Sequence, residues 1–266
     1  MSAIDDTFAA LRKQGRKAFA PFVTAGDPDL AYTAELLPAL SAAGAAVCEV
    51  GIPYSDPIAD GPVIQASYTR ALERGITLRE ILETLGQAST NTKCPLVTMV
   101  SYAIIHRHGP QQFIEDAQAA GVSGAIVPDL LVDESANFKQ LCDAADFSLV
   151  QLVSPATPRD RALRIAENSS GFLYYVSVMG ITGERRELPP ELLENVAWLR
   201  NQTALPICIG FGVSTAEHVR QLAPVADGVI VGSAIVRRIE ALADRPRAES
   251  VGQIADYVQE MVAALE

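Results

Sequence analysis

Ala46-Val-Cys-Glu-Val-Gly-Ile-Pro-Tyr-Ser-Asp-Pro-Ile-Ala-Asp-Gly-Pro62 reads as a buried strand running straight into a stiff loop. Residues 46–51 are apolar except for Glu49. By the two-residue period of a strand, Glu49 shares a face with Val47, and Cys48 shares the other with Val50. A run that is apolar on both faces belongs inside a parallel sheet covered on both sides. Seven more runs of this kind lie on either side of it: Ala18–Thr24, Pro95–Val100, Gly124–Pro128, Ser148–Val153, Gly171–Ser177, Pro206–Gly210 and Gly228–Gly232.

Amphipathic stretches separate these runs, among them Leu30–Ala43, Gln111–Ala120, Glu134–Ala144, Arg159–Asn168, Pro190–Asn201 and Thr215–Ala223. Pro110 and Pro190 suit a first helical turn, and Gly44, Gly121 and Gly171 fall just past helical stretches. Eight strand-then-helix units with right-handed crossovers can close into a (β/α)8 TIM barrel, and 266 residues is the right length for one. Two helices are surplus to that plan. One is the N-terminal stretch, with acids early and bases late; the other lies between strands two and three, where Val63–Gly75 and Leu78–Gln87 both read as helical. No Pro/Gly/Ser-rich linker divides the chain, so residues 1–266 are expected to form a single domain.

Composition excludes several functions. The net charge is −11 and no Lys/Arg-dense stripe occurs, which argues against binding nucleic acid or an anionic membrane. A phosphorylated substrate would have to be held locally, against the overall field. No run approaches the 18 apolar residues of a membrane span, and the N-terminus lacks a signal-peptide core. The four cysteines form no Cys-x-x-Cys pair, which suits a reducing, cytoplasmic setting. His106 and His108 have no third ligand nearby in their loop, so no metal is expected.

The chemistry is expected at the C-terminal ends of the strands. A carboxylate buried in an apolar strand is costly while charged, so the pKa of Glu49 should rise until it can donate a proton near neutrality. A salt-bridged core glutamate is the competing reading. Downstream, Pro53, Asp56-Pro57 and Asp60-Gly61-Pro62 make a loop of few conformations that can hold Asp60 over a barrel mouth. Alternatively, both aspartates are simple turn formers. Two carboxylates in unlike settings nonetheless suit acid–base work. After strands seven and eight come Ile209-Gly-Phe-Gly-Val-Ser214 and Val231-Gly-Ser-Ala234, in the positions of a barrel phosphate site. After strand six, residues 177–189 carry two glycines and a charged run, as a closing lid would.

The segment from Glu49 to Pro62 strongly resembles the tryptophan synthase α-subunit signature, a strand-end Glu followed by Gly-x-Pro-x-Ser-Asp-Pro-x-Ala-Asp-Gly-Pro. The resemblance runs from Phe19 to the last helix. It implies a lyase that cleaves indole-3-glycerol phosphate to indole and glyceraldehyde 3-phosphate. In this likeness Glu49 is the acid–base at indole C3 and Asp60 meets the indole N–H. Phe22 lies beside the indole, Tyr174 near the glycerol, and Thr182 pairs with Asp60 when the lid closes. Gly183, Gly212, Gly232 and Ser233 grip the phosphate. The resemblance further implies no cofactor in this chain, with pyridoxal phosphate confined to a partner β subunit in an α2β2 complex. Two segments depart from it, both on the family's docking face: Tyr102-Ala-Ile-Ile105 and Asp129-Leu-Leu131. A free-standing lyase, another phosphate-binding barrel and a non-catalytic regulatory barrel are the other readings.

Overall fold

The structure is a computed structural model that describes residues 1–57, 60–176, 190–210 and 212–266. Its strands are β1 (Ala18–Thr24), β2 (Cys48–Gly51), β3 (Leu96–Met99), β4 (Val122–Ile126), β5 (Ser148–Val150), β6 (Leu152–Val153), β7 (Leu173–Val176), β8 (Ile207–Gly210) and β9 (Gly228–Val231). All pairings among them are parallel, in the order β5-β4-β3-β2-β1-β9-β8-β7-β6. β5 and β6 are the two halves of the expected fifth strand, interrupted at Gln151. The first half pairs with β4 and the second with β7, so the chain itself closes the sheet into the eight-stranded barrel.

Alternation along each strand sorts the core into two layers. Ala20, Phe22, Val47, Val97, Met99, Ile126, Val150, Tyr174, Cys208 and Ile230 fill the barrel interior. Phe19, Val23, Cys48, Val50, Leu149, Tyr175, Ile207, Ile209 and Val229 face the surrounding helices. Those helices are α1 (Ala3–Lys13), α2 (Leu30–Ala42), α3 (Pro62–Glu73), α4 (Leu78–Ser89), α5 (Tyr102–His108), α6 (Pro110–Ala119), α7 (Ala136–Ala144), α8 (Arg159–Glu167), α9 (Pro190–Arg200), α10 (Ala216–Leu222), α11 (Ser233–Ala241) and α12 (Arg247–Ala263). The two surplus helices expected from the sequence are α1 and the additional member of the α3–α4 pair; two further ones are present among the described residues, one of the α5–α6 pair after β3 and one of the α11–α12 pair after β9.

α1 plugs the N-terminal end of the barrel. Its amphipathic pattern aims Ile4 and Phe8 inward, where both are buried with the interior layer, and Phe8 packs against Phe172 at 5.6 Å between ring centroids. A capping box starts the helix: the Ser2 hydroxyl accepts from Asp5 N–H while the Asp5 carboxylate accepts from Ser2 N–H. The Ser2 hydroxyl also meets that of Ser148 at 2.6 Å in the buried floor.

Two expectations are corrected. The segment from Tyr102 to His108, read as a loop, is the helix α5. The hydroxyl of Ser101 caps it from Ala103 N–H, and the Asp129 carboxylate accepts from Ser101 Oγ at 2.6 Å and Tyr102 N–H at 2.8 Å. This fastening comes from the loop after β4, 28 residues away in sequence, so local pattern does not reveal it. The fourth strand starts at Val122, not Gly124, and a register shift against β3 between Leu96 and Val97 accommodates Ser123.

Candidate active site

At the C-terminal mouth of the barrel, a cavity of about 260 Å³ is lined by Phe22, Glu49, Asp60, Gly61, Ile64, Met99, Tyr174, Gly212, Val213, Ser214, Ile230, Gly232, Ser233, Ala234 and Arg237. It gathers every sequence-predicted site residue that the structure describes. Thr182, Gly183 and the expected lid lie outside the described residues. A larger cavity of about 460 Å³ opens at the other end beside α1, but it holds neither of the two site carboxylates.

Glu49 forms the floor. It is 1% exposed, and both its carboxylate oxygens are buried without a hydrogen-bond partner among the described residues. Its neighbours in register are Phe22 and Val97, and no cation among the described residues pairs with it, so the salt-bridged core reading is set aside. Burial, reinforced by the charge of Asp60, pushes its pKa up to about 8. Near neutrality Glu49 is therefore a carboxylic acid with a proton to give.

Asp60 approaches from the loop above. Its N–H donates to the carbonyl of Pro57 at 3.1 Å. The Gln65 amide, one turn into α3, donates to the carbonyls of Asp60 and Pro57 at 2.8 and 3.1 Å. Gly61 and Pro62 then begin α3, with proline at the first turn where its missing N–H costs nothing. Asp60 Oδ2 is buried and without a partner among the described residues, and burial raises the pKa to about 6. The turn-former reading accounts for the backbone of Asp60 but not for a carboxylate turned into the cavity. Across the window between about 6 and about 8 the two groups carry opposite protonation states, an acid below and a base above.

The aromatic walls depend on a residue with no side chain. A Cβ at Gly51 would lie 2.5 Å from Phe22 Cζ and 2.7 Å from Tyr68 Oη, so glycine there is what admits both rings beside Glu49. Tyr174, on β7, is buried across the barrel, and its phenol is held neutral well above its ordinary range by burial and then by the charges of Glu49 and Asp60. Tyr68 was not singled out in the sequence. Its hydroxyl is buried and unpartnered, and its ring meets that of Tyr54 at 5.7 Å. Nothing in a mid-helix tyrosine distinguishes it from core before the fold brings it to Gly51.

At the opposite end of the cavity the chain offers backbone. Gly212, at φ 78°, turns the loop after β8 inward in a conformation that favours glycine. Gly232 leads into α11, whose first residues, Ser233 and Ala234, line the cavity and bring a helix N-terminus to it. Arg237, one turn further along α11, is exposed at the rim and lines the same cavity, with no partner among the described residues. It too was missed, because a lone helical arginine looks like any solvated one. His218 lies in α10, where its Nδ1 accepts from Ser214 N–H. His106 and His108 are on α5, and His108 meets the carboxylate of Asp116 at 2.7 Å. Among the described residues no group of three His, Cys, Asp or Glu could hold a metal ion.

Two buried carboxylates and a helix N-terminus thus face one cavity at the C-terminal mouth of a (β/α)8 barrel, the end at which barrel enzymes carry their chemistry. The comparisons name the kind. A family model described as tryptophan synthase alpha chain matches residues 8–266, and the chain belongs to that family. It is 54% identical over 264 residues to the tryptophan synthase alpha chain of Rhodopirellula baltica, covering 98% of this chain and 95% of that one. The crystal structure of tryptophan synthase subunit alpha from Legionella pneumophila superposes with a TM-score of 0.90 at 33% identity, covering 100% of this chain and 98% of that one. A chain of the tryptophan synthase complex from Pyrococcus furiosus matches with a TM-score of 0.83 at 34% identity, covering 93% and 99%. This chain is accordingly a carbon–carbon lyase of tryptophan biosynthesis, of the family that supplies the α subunit of tryptophan synthase.

Proposed function

We propose that Glu49 and Asp60 are the acid–base pair that cleaves indole-3-glycerol phosphate. The carrying observation is that two carboxylates facing one cavity are pushed to different pKa values, about 8 and about 6, with a helix N-terminus at the cavity's far end. Asp60, ionised, accepts from the indole N–H and draws electron density toward C3. Glu49 donates its proton to C3, which converts the ring, its N–H still held by Asp60, to an indoleninium cation whose C3–glycerol bond can break. The Glu49 carboxylate then takes the proton of the adjacent glycerol hydroxyl. The C–C bond electrons return to the ring, indole leaves, and the hydroxyl carbon becomes the aldehyde of glyceraldehyde 3-phosphate. Each such proton transfer contributes roughly 10²–10⁴-fold. Gly212, Gly232 and Ser233 hold the phosphate through backbone N–H groups, Phe22 flanks the indole and Tyr174 the glycerol.

The same reading makes the chain a single domain, acting in the cytoplasm without a cofactor of its own. It docks a β subunit, which carries the pyridoxal phosphate, in an α2β2 complex. The Tyr102–Ile105 and Asp129–Leu131 segments, with Leu131 52% exposed, depart from the family pattern on the face assigned to docking.

Indole release from indole-3-glycerol phosphate, measured for the chain alone and with a β subunit from the same source, tests this. Weak activity that rises with the partner and disappears in Glu49→Gln is expected. High activity with no partner effect would make it a free-standing lyase, and no indole under either condition would remove the residue assignment.

A further inference from the structure

Outside the lyase site, two cysteine thiols are in contact. Cys48 Sγ and Cys94 Sγ lie 3.5 Å apart, and both are free thiols. We propose that this pair is an oxidation site, at which a hydroperoxide joins the two sulfurs in a disulfide tying β2 to the turn that leads into β3.

The fold sets the pair up. Cys48 opens β2 with its side chain on the outer face of the barrel, the face opposite Glu49, so the lyase reaction uses neither thiol. Its N–H donates to the carbonyl of Pro95 at 3.0 Å, which fixes it beside the entry to β3. On the other side, the Ser41 hydroxyl near the end of α2 accepts from Lys93 N–H at 3.0 Å and Cys94 N–H at 3.2 Å. Both backbones are held close by these hydrogen bonds, with the two sulfurs already in contact. The sulfurs must close by about 1.5 Å to reach the roughly 2.05 Å of a disulfide. The two partners also differ as a reacting pair should. Cys48 is fully buried, whereas Cys94 is only partly buried. The Cys48 thiol beside it, with Ser41 contributing, holds the Cys94 thiol below its ordinary range, and the thiolate is the reactive form.

The steps balance. The Cys94 thiolate attacks the O–O bond of the hydroperoxide, an alcohol or water leaves, and Cys94 becomes a sulfenic acid. Cys48 then attacks Sγ of Cys94. The S–S bond forms as the S–O bond breaks, and the oxygen departs with the Cys48 proton as water. Two thiols are oxidised by two electrons and one peroxide is reduced. Cys142 and Cys208, buried elsewhere in the core, take no part.

The test is to treat the reduced full-length chain with equimolar hydrogen peroxide and count thiols in denaturant. The four thiols of the reduced chain should fall to two, with one reducible cross-linked peptide containing Cys48 and Cys94. Cys94→Ser should keep its remaining thiols. Cys48→Ser should leave a dimedone-reactive sulfenic acid on Cys94. Four surviving thiols, or Cys94 driven to sulfinate while Cys48 stays alkylatable, would overturn the proposal. The readout is a covalent bond, so it stands or falls apart from the lyase assignment.

Discussion

Glu49 and Asp60 share one cavity, yet burial acts on them to different depths. Asp60 must be ionised and Glu49 protonated before the first proton moves. The kcat/KM profile should therefore be a bell, rising as pH passes about 6 and falling as it passes about 8. A profile flat from pH 5 to 9 would mean that these two groups do not set the rate. Arg237 acts at the other end of the site. Its guanidinium, without a partner among the described residues, can meet the substrate phosphate as it enters, so Arg237→Gln should raise KM several-fold and leave kcat close to that of the wild type. An unchanged KM would return Arg237 to the solvent. Glu49 stood out because a carboxylate in an apolar strand breaks a local rule, whereas Asp60, set between prolines, looked equally like a turn former and stood out through the signature that it shares with the family. Arg237 and Tyr68 break none, and only the fold shows which way they point.

Elements explain why the loop bearing Asp60 stays in place. Gln65 ties that loop to α3, and Arg70, further along α3, makes a paired contact with Asp27 at 2.9 and 2.7 Å and a second with Glu240 of α11 at 2.8 Å. α3 thus links the loop after β1, the Asp60 loop and the helix that begins at the phosphate end. Asp27 is 5% exposed, so Arg70→Ala strands a buried carboxylate and should cost about 2 kcal/mol, a value discounted because Arg70 itself is partly in water. Urea unfolding measures it, and a loss below a few tenths of a kcal/mol would show that the link carries no load. Strands and long helices were readable from the sequence because their apolar periods are set by burial on known faces. α5 was not, since seven residues give little period and its anchor, Asp129, is remote. The break at Gln151 was hidden for a related reason: it reflects which neighbour each half-strand meets on closure, not any local preference.

For the whole molecule, Glu49 sets a stability cost that depends on pH. Its pKa is near the ordinary glutamate value in the unfolded chain and about 8 in the fold. Between those values the folded state holds a proton that the unfolded state has released, so stability falls as pH rises. The contribution is complete below the ordinary value and gone above about 8, and a shift this large corresponds to a few kcal/mol, on the order of one per pKa unit. Glu49→Gln should therefore gain on the wild type as pH goes from 5 to 9, seen as a melting-temperature difference that widens with pH. Parallel curves for the two proteins would mean that the carboxyl is better solvated than its burial indicates.

The α1 plug has a consequence for isotopes. Ile4 and Phe8 pack into one end of the barrel and substrate would fill the other, which leaves little room for a water line from the acid on the floor to the bulk. Cleavage does not need one, because the proton Glu49 gives to carbon returns to it from oxygen within the same turnover. The hydrogen delivered to C3 of one substrate can then be the one taken from the hydroxyl of the substrate before it. A substrate hydroxyl carries whichever hydrogen isotope the solvent holds when it binds, so a barrel that hands its proton on in this way would, after a switch from water to D2O, put deuterium into the indole one turnover late.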